Sequence, residues 1–390
     1  MTIGIDARPL QGETRYRGIG KALEFMLASL ATIAKERAFC FYVESDSPVP
    51  EVLKNFKNYR LIKMPAASLG KKRFVRSVLA ASRPLRPNPK DVDVVLQYDA
   101  ALGVPRNVPC VAVFHDLIPY LFRGQEKQMV AEGLRKYKNN LARELYWQKY
   151  LRVLQNYQKA AQIIAISESS KNDLHAFLKD KTPPTAVVHH GVFEASSANK
   201  SKKQWPQPFL LYVGGIDFRK NIAGLLQAFM EIKANWPELQ LIAIGKEFTL
   251  ESQLEDVGWT QILKKYPQYA QDVHTPGFVA QDDMGSLYAQ ATAFVFPSRY
   301  EGFGLPVLEA MQNSCPVIAY ANSSIIEIAG DAALLVKDGE SLVPAIEEVL
   351  QDPDLRAELI TKGKQQVKNF TWDKTARQTL TLLEQVTKRH

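Results

Sequence analysis

The sequence predicts an α/β protein made of two doubly wound units in tandem, and three observations predict it. A chain of 390 residues is longer than one hydrophobic core usually serves. Short apolar runs alternate with longer amphipathic stretches almost throughout, as parallel strands and their crossover helices do. The alternation breaks once, at EASSANKSKKQWPQP (194–208), a small, polar, basic, proline-containing stretch without periodicity that reads as a linker.

In the first unit, 1–193, apolar runs at 2–6, 39–43, 92–96, 109–115, 162–166 and 185–188 have the length of buried strands. Between them, 20–34, 71–81, 140–159 and 169–178 carry the amphipathic pattern of helices. After the linker, 209–213, 239–244, 291–296, 316–319 and 333–336 read as strands, and 221–233, 281–289, 306–313 and 341–351 as helices. A last amphipathic stretch, 372–386, follows Asn369, Phe370 and Thr371. In open sheets of this kind, ligands bind outside the carboxyl ends of the strands, where the strand order reverses. Two such units facing each other make the cleft between them the expected active site.

Composition narrows the class. With 46% hydrophobic and 23% charged residues the chain is neither disordered nor fibrous. No run of 18 apolar residues is present, so no spanning helix is expected. The opening MTIGIDARPL places Asp6 and Arg8 inside its first apolar run, unlike a signal peptide. Cys40, Cys110 and Cys315 lie in apolar surroundings without CxxC spacing, which predicts buried thiols in a cytoplasmic protein. Residues 1–193 hold 30 Lys and Arg against 17 Asp and Glu, a net of +13; the remainder hold 19 against 24, a net of −5, giving the chain its +8. A basic first half suits either a polyanionic partner or a well-solvated surface.

The segment with most chemistry is ATAFVFPSRYEGFGLPVLEAMQNSCP (291–316). A buried strand runs into a loop and then a helix, with Pro306 suited to the first helical position. Gly302 and Gly304 let the backbone approach a ligand. The free amides of the helix start, with its dipole, suit a pyrophosphate. Glu301 lies on the loop and Glu309 about one turn inside the helix, eight residues on. That spacing is wrong for an acid/base pair; it suits two carboxylates accepting from hydroxyls at the two ends of a long ligand, a sugar and a ribose.

This segment resembles the E-x7-E signature of the family-four glycosyltransferases of the GT-B fold. LYVGGIDFRKN (211–221), GFVAQDDMGSLYAQATAFVFPS and SSIIEIAGDAALLV resemble its donor domain, and GIDARPL, YRGIGKALEFML and AVFHDLIPYLF its acceptor domain. The resemblance implies two Rossmann-like domains facing a central cleft: an acceptor domain, 1–193, completed by a crossover helix at 371–390, and a donor domain, 209–370. It implies that Glu301 binds the donor sugar, Glu309 the ribose, and amides around Gly302, Phe303, Gly304 and Leu305 the sugar and phosphate. Lys220 and Arg219 would neutralise the diphosphate; many members carry the Arg where this chain has Gly215. Gly277, Phe278 and Val279 match the place of the base. Ser314 stands where many members carry Gly. Gly18 and Gly20 would border the diphosphate and acceptor with Arg15 and Arg17 beside them, although a lone GxG followed by Leu23 lacks the third glycine of a dinucleotide site. His115, at the carboxyl end of a strand, would approach the transferred sugar. His189 and His190 read as loop residues. Asp91 and Asp93 precede a strand rather than follow one, so no metal is expected and no cofactor is required.

The run 71–90 holds seven Lys or Arg and no acid, with Phe74, Val75, Val78 and Leu79 on one helical face. It suits an anionic membrane surface or packing against its own domain. Tyr146, Trp147 and Tyr150 read as core helix, and nucleic acid is not expected. The expected reaction is retaining transfer of a hexose, first mannose from GDP-mannose, to a glycan or polyprenyl-linked hydroxyl in surface-polysaccharide assembly, in the cytoplasm or on the inner face of the membrane. The alternatives are a nicotinamide-dependent oxidoreductase on tandem Rossmann units and a non-catalytic nucleotide-sugar-binding protein.

Overall fold

The computed structural model describes residues 1–11, 18–64, 85, 87–99, 103–105, 107–123, 140–193, 204–249, 254–255 and 257–389, with backbone alone at 140–143, 145, 146 and 281. Arg15, Arg17, most of the 71–90 run and most of the 194–208 linker lie outside these residues, as does the side chain of Tyr146.

The chain forms two compact units. The first draws on Met1–Leu117, Lys138–Gly191 and Phe370–His390, the second on Ile118–Tyr137 and Val192–Asn369. The first contains β1 (Thr2–Asp6), β2 (Ala38–Glu44), β3 (Tyr59–Met64), β4 (Val94–Gln97), β5 (Cys110–Phe114), β6 (Gln162–Ala165) and β7 (Thr185–Val187) in the order β3-β2-β1-β4-β5-β6-β7. The second contains β8 (Phe209–Val213), β9 (Gln240–Ile244), β10 (Val273–Gly277), β11 (Ala293–Phe296), β12 (Val317–Ala321) and β13 (Leu334–Lys337) in the order β10-β9-β8-β11-β12-β13. All pairings are parallel. The central strands are apolar along their length because helices cover both faces. The order reverses between β1 and β4 in the first sheet and between β8 and β11 in the second.

Two strands escape the sequence reading, and both are edges. β3 exposes Arg60 and Lys63, and β10 contains Pro276. Charge and proline blunt a sheet edge against further pairing, and they also hide the strand's pattern.

The first unit is closed by residues from the far end of the chain. The helix Trp372–Arg389 packs against the helix Gly18–Ile33, with Phe25 and Trp372 stacked at 6.1 Å and Arg37 paired with Glu384 at 2.6 Å. Gly191 lies so close to this helix that a Cβ would come within 2.3 Å of the Trp372 nitrogen. Only glycine fits there. The three cysteines are buried and free. Ser314, where the family resemblance leads one to expect glycine, has φ +61°, a left-handed conformation that glycine adopts without strain. Among the described residues no helix is long and apolar enough to cross a membrane.

Candidate functional site

In the second unit, β8 and β11 lie side by side where the order reverses, and a loop leaves the carboxyl end of each. From β8 the chain runs through Gly214 and Gly215 to a single 3-10 turn, Phe218–Lys220, then to Asn221, whose φ of +51° turns it into the helix Ile222–Ile232. From β11 it runs through Arg299, Tyr300 and Glu301 to Gly304, whose φ of +109° starts the helix Leu305–Gln312. A Cβ at Gly304 would meet the Ile325 side chain at 2.7 Å. Pro306 is second in this helix rather than first.

The two loops are stitched together. The Arg299 amide donates to the Arg219 carbonyl at 2.7 Å, and Arg219 Nη1 donates to the Tyr300 carbonyl at 3.0 Å. The Glu301 amide donates to Ser323 Oγ at 2.9 Å, and the Ser324 hydroxyl lies 2.9 and 2.7 Å from the carbonyls of Glu301 and Phe303. The serines follow β12, so a third strand end holds the loop.

This scaffold brings two cations onto one carboxylate. Arg219 Nη1 lies 2.8 Å from Glu301 Oε2, and Lys220 Nζ lies 2.6 Å from Glu301 Oε1. Asp217 approaches Arg219 Nε at 3.2 Å, and Lys220 sits 5.1 Å above the Phe296 ring. Lys220 and Glu301 are each only 8% exposed, so the pair is shielded from water. Burial alone would raise the Glu301 pKa; the charges of Arg219 and Lys220 outweigh it and hold the carboxyl at about 2. Burial and the neighbouring Arg219 lower the Lys220 pKa from its ordinary value, against the pull of Glu301.

Glu309 is half-buried on the helix that follows, and the Tyr288 hydroxyl donates to its Oε2 at 3.1 Å. At the ends of β9 and β10 the Phe278 ring is 71% exposed with Lys246 Nζ 5.8 Å from its centre, while Val279 is buried. A Cβ at Gly215 would make only ordinary contact, with Asp217 Oδ2 at 3.8 Å and Glu247 Oε2 at 4.0 Å. Thus Gly215, Arg219, Lys220, Phe278, Val279, Glu301, Gly302, Phe303, Gly304, Leu305 and Glu309 all belong to the second unit, at the carboxyl side of its sheet. Chemically, this is a place where an anion can meet two cations and a helix start.

His115, Gly18 and Gly20 belong to the first unit instead. Gly18 and Gly20 form the first turn of the helix after β1, and Gly18 is exposed. His115 follows β5; its Nε2 lies 2.8 Å from the Tyr98 carbonyl, which fixes the proton there and leaves Nδ1 as the other face of the ring. His190, read from sequence as a loop residue, is buried at 5% exposure between Tyr98, His115 and Trp372. Burial, with the nearby His115 and His189, pushes its pKa well below the ordinary histidine value. Its signal was only its position just past β7 and before the tightly packed Gly191. Sequence reasoning also missed Tyr288, Ser323 and Ser324. Asp91 and Asp93 serve the amino end of β4: Asp91 pairs with Arg60, and Asp93 accepts from the Thr2 amide. Among the described residues no three His, Cys, Asp or Glu side chains are grouped to hold a metal ion.

Residues 194–366 match the family described as glycosyl transferases group 1, and residues 39–194 match glycosyltransferase family 4. The O-antigen chain mannosyltransferase B of Escherichia coli is 36% identical over 180 residues, 45% of each chain. The serotype-specific mannosyltransferase WbdA of Escherichia coli is 26% identical over 411 residues, spanning 96% of this chain and 47% of that protein. The chain thus spans about half the length of these curated relatives. Sucrose-phosphate synthase from Thermosynechococcus elongatus shares the fold with a TM-score of 0.69 at 20% identity over the whole of both chains. Anabaena HepE in complex with UDP and glucose does so with a TM-score of 0.65 at 18% identity, covering 99% of this chain and 100% of that one.

Proposed function

Because the chain belongs to the family-four glycosyltransferases of the GT-B fold, we propose that it moves a hexose from a nucleoside-diphosphate sugar to a hydroxyl of a glycan or lipid-linked acceptor, with retention of configuration. The observation that carries this reading is the meeting of Arg219 and Lys220 on Glu301 at the reversal point of the second sheet, beside the helix start at Leu305. A nucleoside diphosphate leaves with developing negative charge, and preorganised cations and amides stabilise that charge. No metal is then required for the leaving group.

In this reading the diphosphate lies against Arg219, Lys220 and the amides of Gly302 to Leu305. Glu301 accepts from the sugar hydroxyls. Glu309, oriented by Tyr288, accepts from the ribose, and the base rests near Gly277, Phe278 and Val279. Both oxygens of Glu301 are engaged by cations, which suits an orienting carboxylate and not a nucleophile. As the family resemblance implies, the acceptor hydroxyl attacks on the face from which the phosphate departs, and a phosphate oxygen takes its proton. His115 assists from the first unit, which handles the acceptor. Mannose from GDP-mannose, in surface-polysaccharide assembly, is supported by the relatives named as mannosyltransferases.

The test is a thermal shift of the full chain with GDP, UDP, ADP and dTDP, followed by turnover of the winning sugar nucleotide with and without a chelator. GDP should give the largest shift, and chelation should leave turnover intact. A shift with none of the four would overturn the reading. The basic 71–90 run is proposed to rest on anionic lipid at the inner face of the membrane. Co-sedimentation with phosphatidylglycerol vesicles but not with phosphatidylcholine ones is the expected result; recovery in the supernatant with both would refute it.

A further inference from the structure

The first sheet has its own reversal point, between β1 and β4, and a second polar constellation stands there. Asp6, the last residue of β1, is wholly buried, yet its carboxylate is fully engaged. Arg8 Nε donates to Oδ1 at 2.8 Å and Nη2 to Oδ2 at 2.6 Å, and Gln97 Nε2, at the end of β4, donates to Oδ2 at 2.9 Å. Gln97 Nε2 also donates to the Asp99 carbonyl at 2.9 Å. These two acceptors settle which end of the amide is nitrogen. Among the described residues Gln97 Oε1 is left buried with no hydrogen-bond partner. Of the five N–H groups on the Arg8 guanidinium, the two in these bonds are the ones with partners among the described residues.

An orphaned acceptor and a partly unused guanidinium at the carboxyl edge of a sheet serve no purpose in packing, since a buried acceptor without a donor costs stability. They match a group that both donates and accepts, which is a hydroxyl. Asp6 neutralises Arg8 and the Gln97 amide is uncharged, so these groups carry no net positive charge to favour a phosphate over a neutral hydroxyl.

We propose that Arg8 and Gln97 form a subsite for the hydroxyls of a neutral sugar: one ring hydroxyl donates to Gln97 Oε1 and accepts from an Arg8 N–H, with Asp6 as the positioning residue that clamps the guanidinium. That this sugar is the acceptor glycan rests on the function proposed above; that the subsite takes a neutral sugar and not a phosphorylated one does not.

The experiment measures binding of α-mannobiose, maltose, chitobiose and mannose 6-phosphate to the full chain by saturation-transfer NMR and calorimetry, in the wild type, Arg8→Lys and Gln97→Met. Lysine keeps the charge opposite Asp6 and loses the fork; methionine keeps the volume and loses the amide. At least one disaccharide should bind tenfold or more tighter than mannose 6-phosphate, and either variant that folds should weaken it at least tenfold while GDP affinity, read in the second unit, stays within twofold. Tighter binding of mannose 6-phosphate, binding of no disaccharide, or a disaccharide affinity unchanged in both variants would overturn the proposal. If the wild type binds disaccharide through Arg8 but no nucleotide, the subsite stands and the glycosyltransferase reading falls.

Discussion

The two sheets reverse their strand order in the same way, and at each reversal point an arginine meets a buried carboxylate, but the second reversal point gathers a further cation and the first does not. In the second unit one carboxylate, Glu301, faces two cations and a helix start. In the first, one guanidinium, Arg8, faces Asp6 within the field of Glu44 and Asp99. The halves of the sequence point the other way, with +13 over 1–193 and −5 over 194–390. Net charge of a domain therefore says little about its ligand. What counts is the sum over the few groups at the strand ends, where low dielectric makes each of them felt. The fold supplies two equivalent crevices, and three or four side chains decide which takes a diphosphate.

The sharpest way to break this contrast is Lys220→Met. It should lower kcat/KM for the sugar nucleotide about a hundred- to a thousandfold, the scale of losing one preorganised charge-stabilising group. A loss under tenfold would mean that the second reversal point does not handle the leaving group. Glu301→Gln should act in two directions. Apo stability should fall by about 3 kcal/mol, because two shielded cations lose their partner. Affinity for the bare diphosphate, measured by calorimetry, should rise as sugar transfer falls. Loss of diphosphate affinity together with sugar transfer would assign Glu301 to packing.

The same variant tests the electrostatics. Glu301 is held at about 2 against an ordinary value of 4.5, so the stability it contributes is full above 4.5 and is lost as pH falls toward 2. Denaturant titrations across that window should show a steep acid limb in the wild type and a flatter one in Glu301→Gln. Tyr288→Phe should weaken nucleotide binding by about 1 kcal/mol, one hydrogen bond, with kcat for bound donor unchanged. Ser314→Gly should raise stability by about 0.5–1 kcal/mol through relief of its left-handed backbone and leave nucleotide affinity alone. That change lies in the second unit but not at its reversal point, so a shift in affinity would blur the distinction drawn above.

Much of the fold is legible in the sequence because its central strands are apolar on both faces: TIGID and FLLYV have the same limits, Thr2–Asp6 and Phe209–Val213, in both readings. β3 and β10 are not legible, since edge strands trade that pattern for Arg60, Lys63 and Pro276. The site is legible only in part. Loop, glycines and helix start around Glu301 can be read locally. The pairing of Lys220 with Glu301 spans 81 residues, and no spacing rule predicts it. Ser323 and Ser324 hold the loop through contacts 22 and 23 residues apart, again beyond the reach of a local pattern. Gln97 sits in an apolar run, and its role depends on β1 lying beside β4. Contacts of that kind come from topology, which hydrophobic pattern implies only coarsely.

Gly191 against the backbone of Trp372 has a consequence for synthesis. Residues 1–191 emerge from the ribosome without the helix that covers Gly18–Ile33, and roughly 180 residues of the second unit follow before it is made. At about 5–20 residues per second that is a wait of about 10–40 s. The nascent first unit spends it without the helix against which Gly18–Ile33 and the Phe25 ring pack, while the later-made unit can already close around its own sheet. The order of completion on the ribosome is thus the reverse of the order of translation, and the nascent first unit is the one most in need of a chaperone.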